Sequence, residues 1–100
     1  LKELAAILGR NIRKVDILSR WGGEEFVILM PRISAEQAYT MAERLREKID
    51  GASFADSVSI TISIGISQWD SVDTSDDLIM KADEALYRAK ASGKNTVCIA

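Results

Sequence analysis

The chain has one cysteine, one proline and no excess of positive charge in its 100 residues. Each scarcity excludes something. A lone Cys98 forbids an intrachain disulfide, and its place in the run Val97-Cys98-Ile99 predicts a buried small hydrophobe. A net charge of −2 leaves no basic footprint for a nucleic-acid polymer, although local cations can still hold a small phosphate ligand. No apolar run approaches membrane-spanning length and nothing has the pattern of a signal peptide, so this segment predicts no membrane contact. Repeats, low-complexity stretches and interdomain linkers are also missing, which predicts a single domain over residues 1–100. What is there is apolar: 47% of the residues, enough for a core and too much for disorder.

Leu1, Leu4, Ala5, Leu8 and Ile12 keep the helical interval, which predicts an amphipathic helix over 1–13 with Lys2, Glu3, Arg10 and Arg13 on its polar face. No Met and no capping residue precedes it, so the expectation is a fragment that starts in or at the edge of a helix. Two hydrophobic runs follow, predicting strands near 15–20 and 25–30. The second, Phe26-Val27-Ile28-Leu29-Met30, is apolar at every position, as for a strand covered on both faces. Pro31 ends it, since it cannot donate to a ladder. Ser34 and Gln37 form a capping-box pattern for a second helix, with Ala38, Met41, Ala42, Leu45 and Ile49 inside and Gly51 at its end. Residues 51–57 are expected to be a loop. From Val58 to Ile66 apolar residues alternate with small ones, the strongest strand signal in the chain. The small face could admit a closely packed helix. Thr74 or Ser75 caps a third helix with Leu78, Ala82, Ala85, Leu86 and Ala89 inside. Gly93 stops it, and Thr96 to Ile99 predicts a last short strand. The order α-β-β-α-β-α-β, with one strand added in front, contains the ferredoxin-like split unit. The fold class expected is therefore α+β: a mainly antiparallel, palm-like sheet flanked by helices and missing its first strand.

The stretch Arg20-Trp21-Gly22-Gly23-Glu24-Glu25-Phe26 carries the chemistry. Paired glycines between strand-like runs predict a hairpin turn, because glycine reaches positive φ without a Cβ clash. Glu24 and Glu25 follow at once. A bare backbone beside two carboxylates suits a hard cation and a phosphate ester. The alternative is a solvated turn whose charges serve solubility.

RWGGEEF resembles the signature of the GGDEF family, the diguanylate cyclases, which join two GTP molecules into cyclic di-GMP. The resemblance extends over LKELAAILGRNIRKVDILSRWGGEEFVILMP, AEQAYTMAERLREKI, SVSITISIGIS and ADEALYRAKASGKN, separate motifs in the family's order. It implies roles for particular residues. Glu24 would ligate Mg²⁺, or Mn²⁺ in its place, and sit near the attacking 3′-hydroxyl. Glu25 would belong to the same acidic site, and Gly22 and Gly23 would let the turn lie against the nucleotide. Lys90 and Lys94 would contact the triphosphate. Arginine is more usual at the position of Lys94, and lysine lacks its bidentate fork. Without the resemblance these two are cations favoured at a helix C-terminus. Arg13 and Asp16 form an RxxD motif that matches the family's inhibitory site for cyclic di-GMP: Arg13 would grip phosphate or a guanine edge, Asp16 would accept from a guanine edge, and Arg44 would support them. The alternative for the pair is a helix-end arginine loosely paired with an aspartate.

The resemblance also implies an upstream strand with a metal-binding aspartate and guanine-reading residues that have no counterpart in this sequence. The expectation is an active parent cyclase, working as a homodimer under an upstream sensor in the cytoplasm or on the cytoplasmic part of a membrane-anchored protein. The 100-residue chain by itself is expected to be incomplete and inactive. The competing reading is a catalytically inactive module that binds cyclic di-GMP or serves dimerisation and regulation.

Overall fold

The computed structural model describes residues 2–22, 25–52, 54 and 59–100, with positions 20–22 and 25 described by their backbone. The chain forms two compact units, Leu1–Ile33 and Ser34–Ala100.

The first unit opens with helix α1, Lys2–Arg10, which buries Leu4 and Leu8 one helical turn apart. It stops short of the expected residue 13. The Asn11 side chain donates to the Ile7 carbonyl at 2.7 Å, and the Arg13 backbone N–H is taken by Asp16 Oδ2 at 2.8 Å. Both are polar contacts that compete with another helical turn. Strand β1, Ile17–Gly22, then pairs antiparallel with β2, Glu25–Leu29. The register shifts between Arg20 and Gly22, so Trp21 is an extra residue on β1, as in a β-bulge. Gly22 thus belongs to the end of a strand, opposite Glu25, and not to the turn where the glycine pattern put it. The expected full cover of the second strand is not found. Leu29 and its cross-strand partner Ile17 are largely exposed, so at this pair no packed layer among the described residues covers the hairpin face.

The second unit is layered. Helix α2, Ala35–Asp50, starts from the full capping box: the Ser34 hydroxyl accepts from the Gln37 N–H, and the Gln37 side chain accepts from the Ser34 N–H. It buries Ala42, Leu45 and Ile49. Gly51 ends it at φ −89°, an ordinary conformation, so the stop uses no left-handed glycine. Strand β3, Ile64–Ile66, pairs in parallel with β4, Val97–Ile99, across helix α3, Ser75–Ala91. A parallel pair needs such a helical crossover. Thr74, not Ser75, is the N-cap of α3, with Asp77 completing a second capping box. Ser92 caps its other end, and Gly93 follows at φ 112°.

Side chains alternate across β3 and so divide the helices between its faces. Ile66 packs with Ala42 and Val97, with Ile64, Ala35 and Ala38 against them, so this face meets α2. Gly65 points the other way. A Cβ there would overlap backbone atoms of Ala82 and Leu86, so α3 lies directly on the glycine. Ser67, on the same face, donates its hydroxyl to the Leu78 carbonyl at 2.6 Å. The close helix packing expected from the small face is present.

The strand itself is shorter than its alternation predicts. Val58 lies outside the described residues, and 59–63 are not in a ladder although Ile60 and Ile62 are half-buried and Ser59 and Thr61 exposed. A strand requires a hydrogen-bonded neighbour, and β4 supplies only three residues. Cys98 is half-buried and not fully covered as expected. The fold class stands: mixed α and β, with one antiparallel ladder, one parallel ladder and three helices among the described residues.

Candidate functional site

The residues that point to nucleotide chemistry fall in three places. The first is the β1–β2 hairpin. Gly22 closes β1 and Glu25 opens β2 as its ladder partner, while Gly23 and Glu24 lie outside the described residues. Among the described residues, no three acidic, His or Cys side chains gather as a metal site. Carboxylates suit a hard cation such as Mg²⁺, but the described residues do not make up a site for it.

The second place is the end of α3. Lys90 is in its last turn, and both Lys90 and Lys94 are exposed. The chain turns sharply here. Gly93, Lys94 and Asn95 have φ of 112°, 65° and 47°, three left-handed residues in a row. The Lys94 N–H reaches back to the Ala89 carbonyl at 3.2 Å and the Gly93 N–H to that of Lys90 at 3.3 Å. These bonds satisfy carbonyls that the helix end leaves open. Asn95 ties the turn to α2. Its Oδ1 accepts from Arg46 Nη1 at 3.1 Å, and its Nδ2 donates to Asp50 Oδ2 at 3.3 Å. Arg46 is itself held by Glu43, through Nε at 3.1 Å and Nη2 at 3.0 Å. The hydrogen bond from Arg46 holds the Glu43 carboxyl below its ordinary pKa. Sequence reading missed Asn95 and Arg46. The signal was a Gly-Lys-Asn turn just after a helix, since asparagine is the non-glycine residue that best tolerates the left-handed region.

The third place is the RxxD motif. Arg13 and Asp16 are tightly paired, not loosely. Asp16 Oδ1 accepts from Arg13 Nη2 at 2.7 Å and from Nε at 3.0 Å, and Oδ2 accepts the Arg13 backbone N–H. The Asp16 side chain is 0% exposed and that of Arg13 is 35% exposed. Arg13 Nη2 also donates to the Pro31 carbonyl at 2.7 Å, so the guanidinium joins the end of α1 to the segment after β2. These contacts use Nε and Nη2, leaving Nη1 outside the Asp16 and Pro31 contacts. The guanidinium hydrogen bond pulls the Asp16 pKa below the usual carboxylate range, against the burial that raises it. Arg44 is exposed on α2, in the other unit.

Comparison with known proteins gives this arrangement its family. The family model described as "Diguanylate cyclase, GGDEF domain" matches residues 1–96. The chain belongs to the GGDEF-domain family. It is 42% identical over 103 aligned positions to the response regulator PleD of Caulobacter vibrioides, covering 97% of this chain. It spans 23% of that relative's length. Among solved structures, the active GGEEF domain of a diguanylate cyclase from Vibrio cholerae superposes with a TM-score of 0.90 at 32% identity, over 99% of this chain and 65% of that one. The GGDEF domain of DgcB from Caulobacter crescentus, solved in complex with c-di-GMP, gives a TM-score of 0.89 at 27% identity, over 96% and 60%.

Proposed function

We propose that residues 1–100 are part of a diguanylate cyclase domain that condenses two GTP molecules into cyclic di-GMP and two pyrophosphates. The observation that carries this reading is the family match over residues 1–96, which includes an unbroken GGEEF at 22–26. In each half-reaction a ribose 3′-oxygen attacks the α-phosphorus of the other nucleotide. One P–O bond forms, the bond to pyrophosphate breaks, and the hydroxyl proton leaves to a base. Such chemistry is mostly positioning and charge stabilisation. Glu24 would take the place beside the hydroxyl and would ligate the metal, with Glu25 in the same acidic site. Mg²⁺ is the cation that suits this site, with Mn²⁺ as a substitute. Gly22 and Gly23 give the nucleotide a bare backbone. Lys90 and Lys94, both exposed at the end of α3, hold the triphosphate as point charges.

Each site holds one GTP, so the working form is a homodimer, placed in the cytoplasm and controlled by an upstream sensor of the parent protein. The chain spans 23% of that curated relative's length, so the activity proposed is that of the parent domain. Product inhibition belongs to the same reading: Arg13 grips phosphate or a guanine edge, Asp16 accepts from a guanine edge, and Arg44 supports them. In the free chain Asp16 orients the Arg13 guanidinium through Nε and Nη2.

The test is incubation of the chain with GTP and Mg²⁺ and a search for cyclic di-GMP by mass spectrometry, in the isolated chain and in the parent protein. Product from the parent that disappears in Glu24→Gln supports the assignment. Undiminished product in Glu24→Gln refutes it. An inactive module that binds cyclic di-GMP would show no product from the parent, and binding lost in Arg13→Ala.

A further inference from the structure

We propose that Asn95 is a positioning residue for the phosphate-binding lysine, and that the Glu43–Arg46–Asn95–Asp50 chain of hydrogen bonds is the anchor that aims Lys94. The inference rests on the reading that Lys94 contacts the triphosphate.

Lysine rarely adopts a left-handed backbone, yet Lys94 has φ 65°, between Gly93 at 112° and Asn95 at 47°. Such a conformation persists only where the surroundings over-determine it. Here the surroundings are known. Behind Lys94, its N–H is fixed to the Ala89 carbonyl at 3.2 Å. Ahead of it, its own carbonyl accepts the Thr96 hydroxyl at 2.9 Å. Beyond that, Asn95 uses both ends of its amide: Oδ1 on Arg46 at 3.1 Å and Nδ2 on Asp50 at 3.3 Å. Arg46 cannot swing freely, because Glu43 holds it through two nitrogens. The turn is therefore fastened to a 16-residue helix, the rigid element beside it.

The fastening leaves Lys94 exposed with no ion pair among the described residues. The acidic groups of the anchor, Asp50, Glu43 and Glu47, face Arg46 and Asn95 instead. A cation kept clear of carboxylates, on a backbone held from both sides, is what a phosphate ligand needs. A lysine has a flexible stem, so its aim comes from its backbone.

The experiment measures GTP binding by the parent protein, by titration calorimetry in the presence of Mg²⁺, with each variant shown by thermal unfolding to be folded at the assay temperature. Lys94→Met tests the underlying contact. Asn95→Gly tests the anchor, because glycine keeps the left-handed backbone and removes only the side-chain bonds. Arg46→Gln removes the same anchor from the α2 side and covers the case in which Asn95→Gly fails to fold. The expected result is a GTP affinity weakened by Lys94→Met and, by about tenfold, by Asn95→Gly and Arg46→Gln, as when a supporting shell is lost. Weakening by Lys94→Met with unchanged affinity in both anchor variants overturns the positioning role and leaves the lysine contact standing. No effect of Lys94→Met, or no GTP binding by the unaltered parent protein, overturns the contact and the inference together.

Discussion

Gly65→Ala sets a small entropic gain against a steric clash. Replacing glycine with alanine stiffens the unfolded chain and is worth about 0.4–1 kcal/mol where the native backbone tolerates it. At Gly65 the new methyl would overlap the Ala82 and Leu86 backbone and lie 2.8 Å from Leu86 Cα. These are main-chain atoms of α3, so no rotamer change relieves the overlap. Either β3 and α3 move apart, uncovering the apolar face, or the helix breaks its own hydrogen bonds. Overpacking ordinarily costs about 1–3 kcal/mol, and the value rises when backbone must move. The clash wins, and a net loss of about 3 kcal/mol or more is expected, a large share of a small domain's total. At roughly 4–8 °C per kcal/mol, the midpoint should fall by about 12 °C or more. Thermal unfolding followed by circular dichroism measures that midpoint, and urea unfolding measures the free-energy loss, with the urea midpoint moving and the slope unchanged. Gly9→Ala is the internal control. Gly9 lies in α1 with nothing within 4 Å of an added Cβ, so the same change should stabilise by about 0.5–1 kcal/mol. A loss below about 1 kcal/mol for Gly65→Ala would refute the close approach of α3 to β3.

Ser34→Ala and Thr74→Ala each remove the acceptor of a capping box and should cost about 1 kcal/mol apiece in the same unfolding assay. Ile49 is fully buried at 0% exposure, so Ile49→Ala should cost about 2–5 kcal/mol, well above any surface change on α2. The pH dependence follows from Asp16 and Asp73, whose pKa values are lowered by hydrogen bonds from Arg13 and Lys81. A carboxylate with a depressed folded pKa binds its proton more readily in the unfolded chain. Its stabilisation is therefore complete above the ordinary carboxylate pKa of about 3.9 and is lost as pH falls through that value toward the folded pKa. Asp16→Asn should lower stability at neutral pH and flatten this acid limb; an unchanged limb in pH-dependent unfolding would contradict the pairing.

Local patterns were enough for what depends on neighbours along the chain. The Ser34–Gln37 capping box, the hairpin runs and the interior residues of α2 and α3 could be read because each signal lies within a few positions of its effect, whereas the choice of Thr74 over Ser75 and its box with Asp77 came from the structure. The family was legible in the same way, from GGEEF and the motifs on either side of it. Tertiary structure decided what depends on distant partners. The alternation from 58 to 66 says which residues can share a face, but a ladder needs a neighbour, and β4 pairs only Ile64–Ile66. The spacing of Arg13 and Asp16 was visible, but not that the carboxylate is buried and filled, since Pro31 joins from 18 residues away. Asn95 showed only as a turn residue, because its partners Arg46 and Asp50 lie 49 and 45 residues back along the chain. Hydrogen bonds across such separations depend on how the helices and strands pack, and short-range pattern carries no record of that.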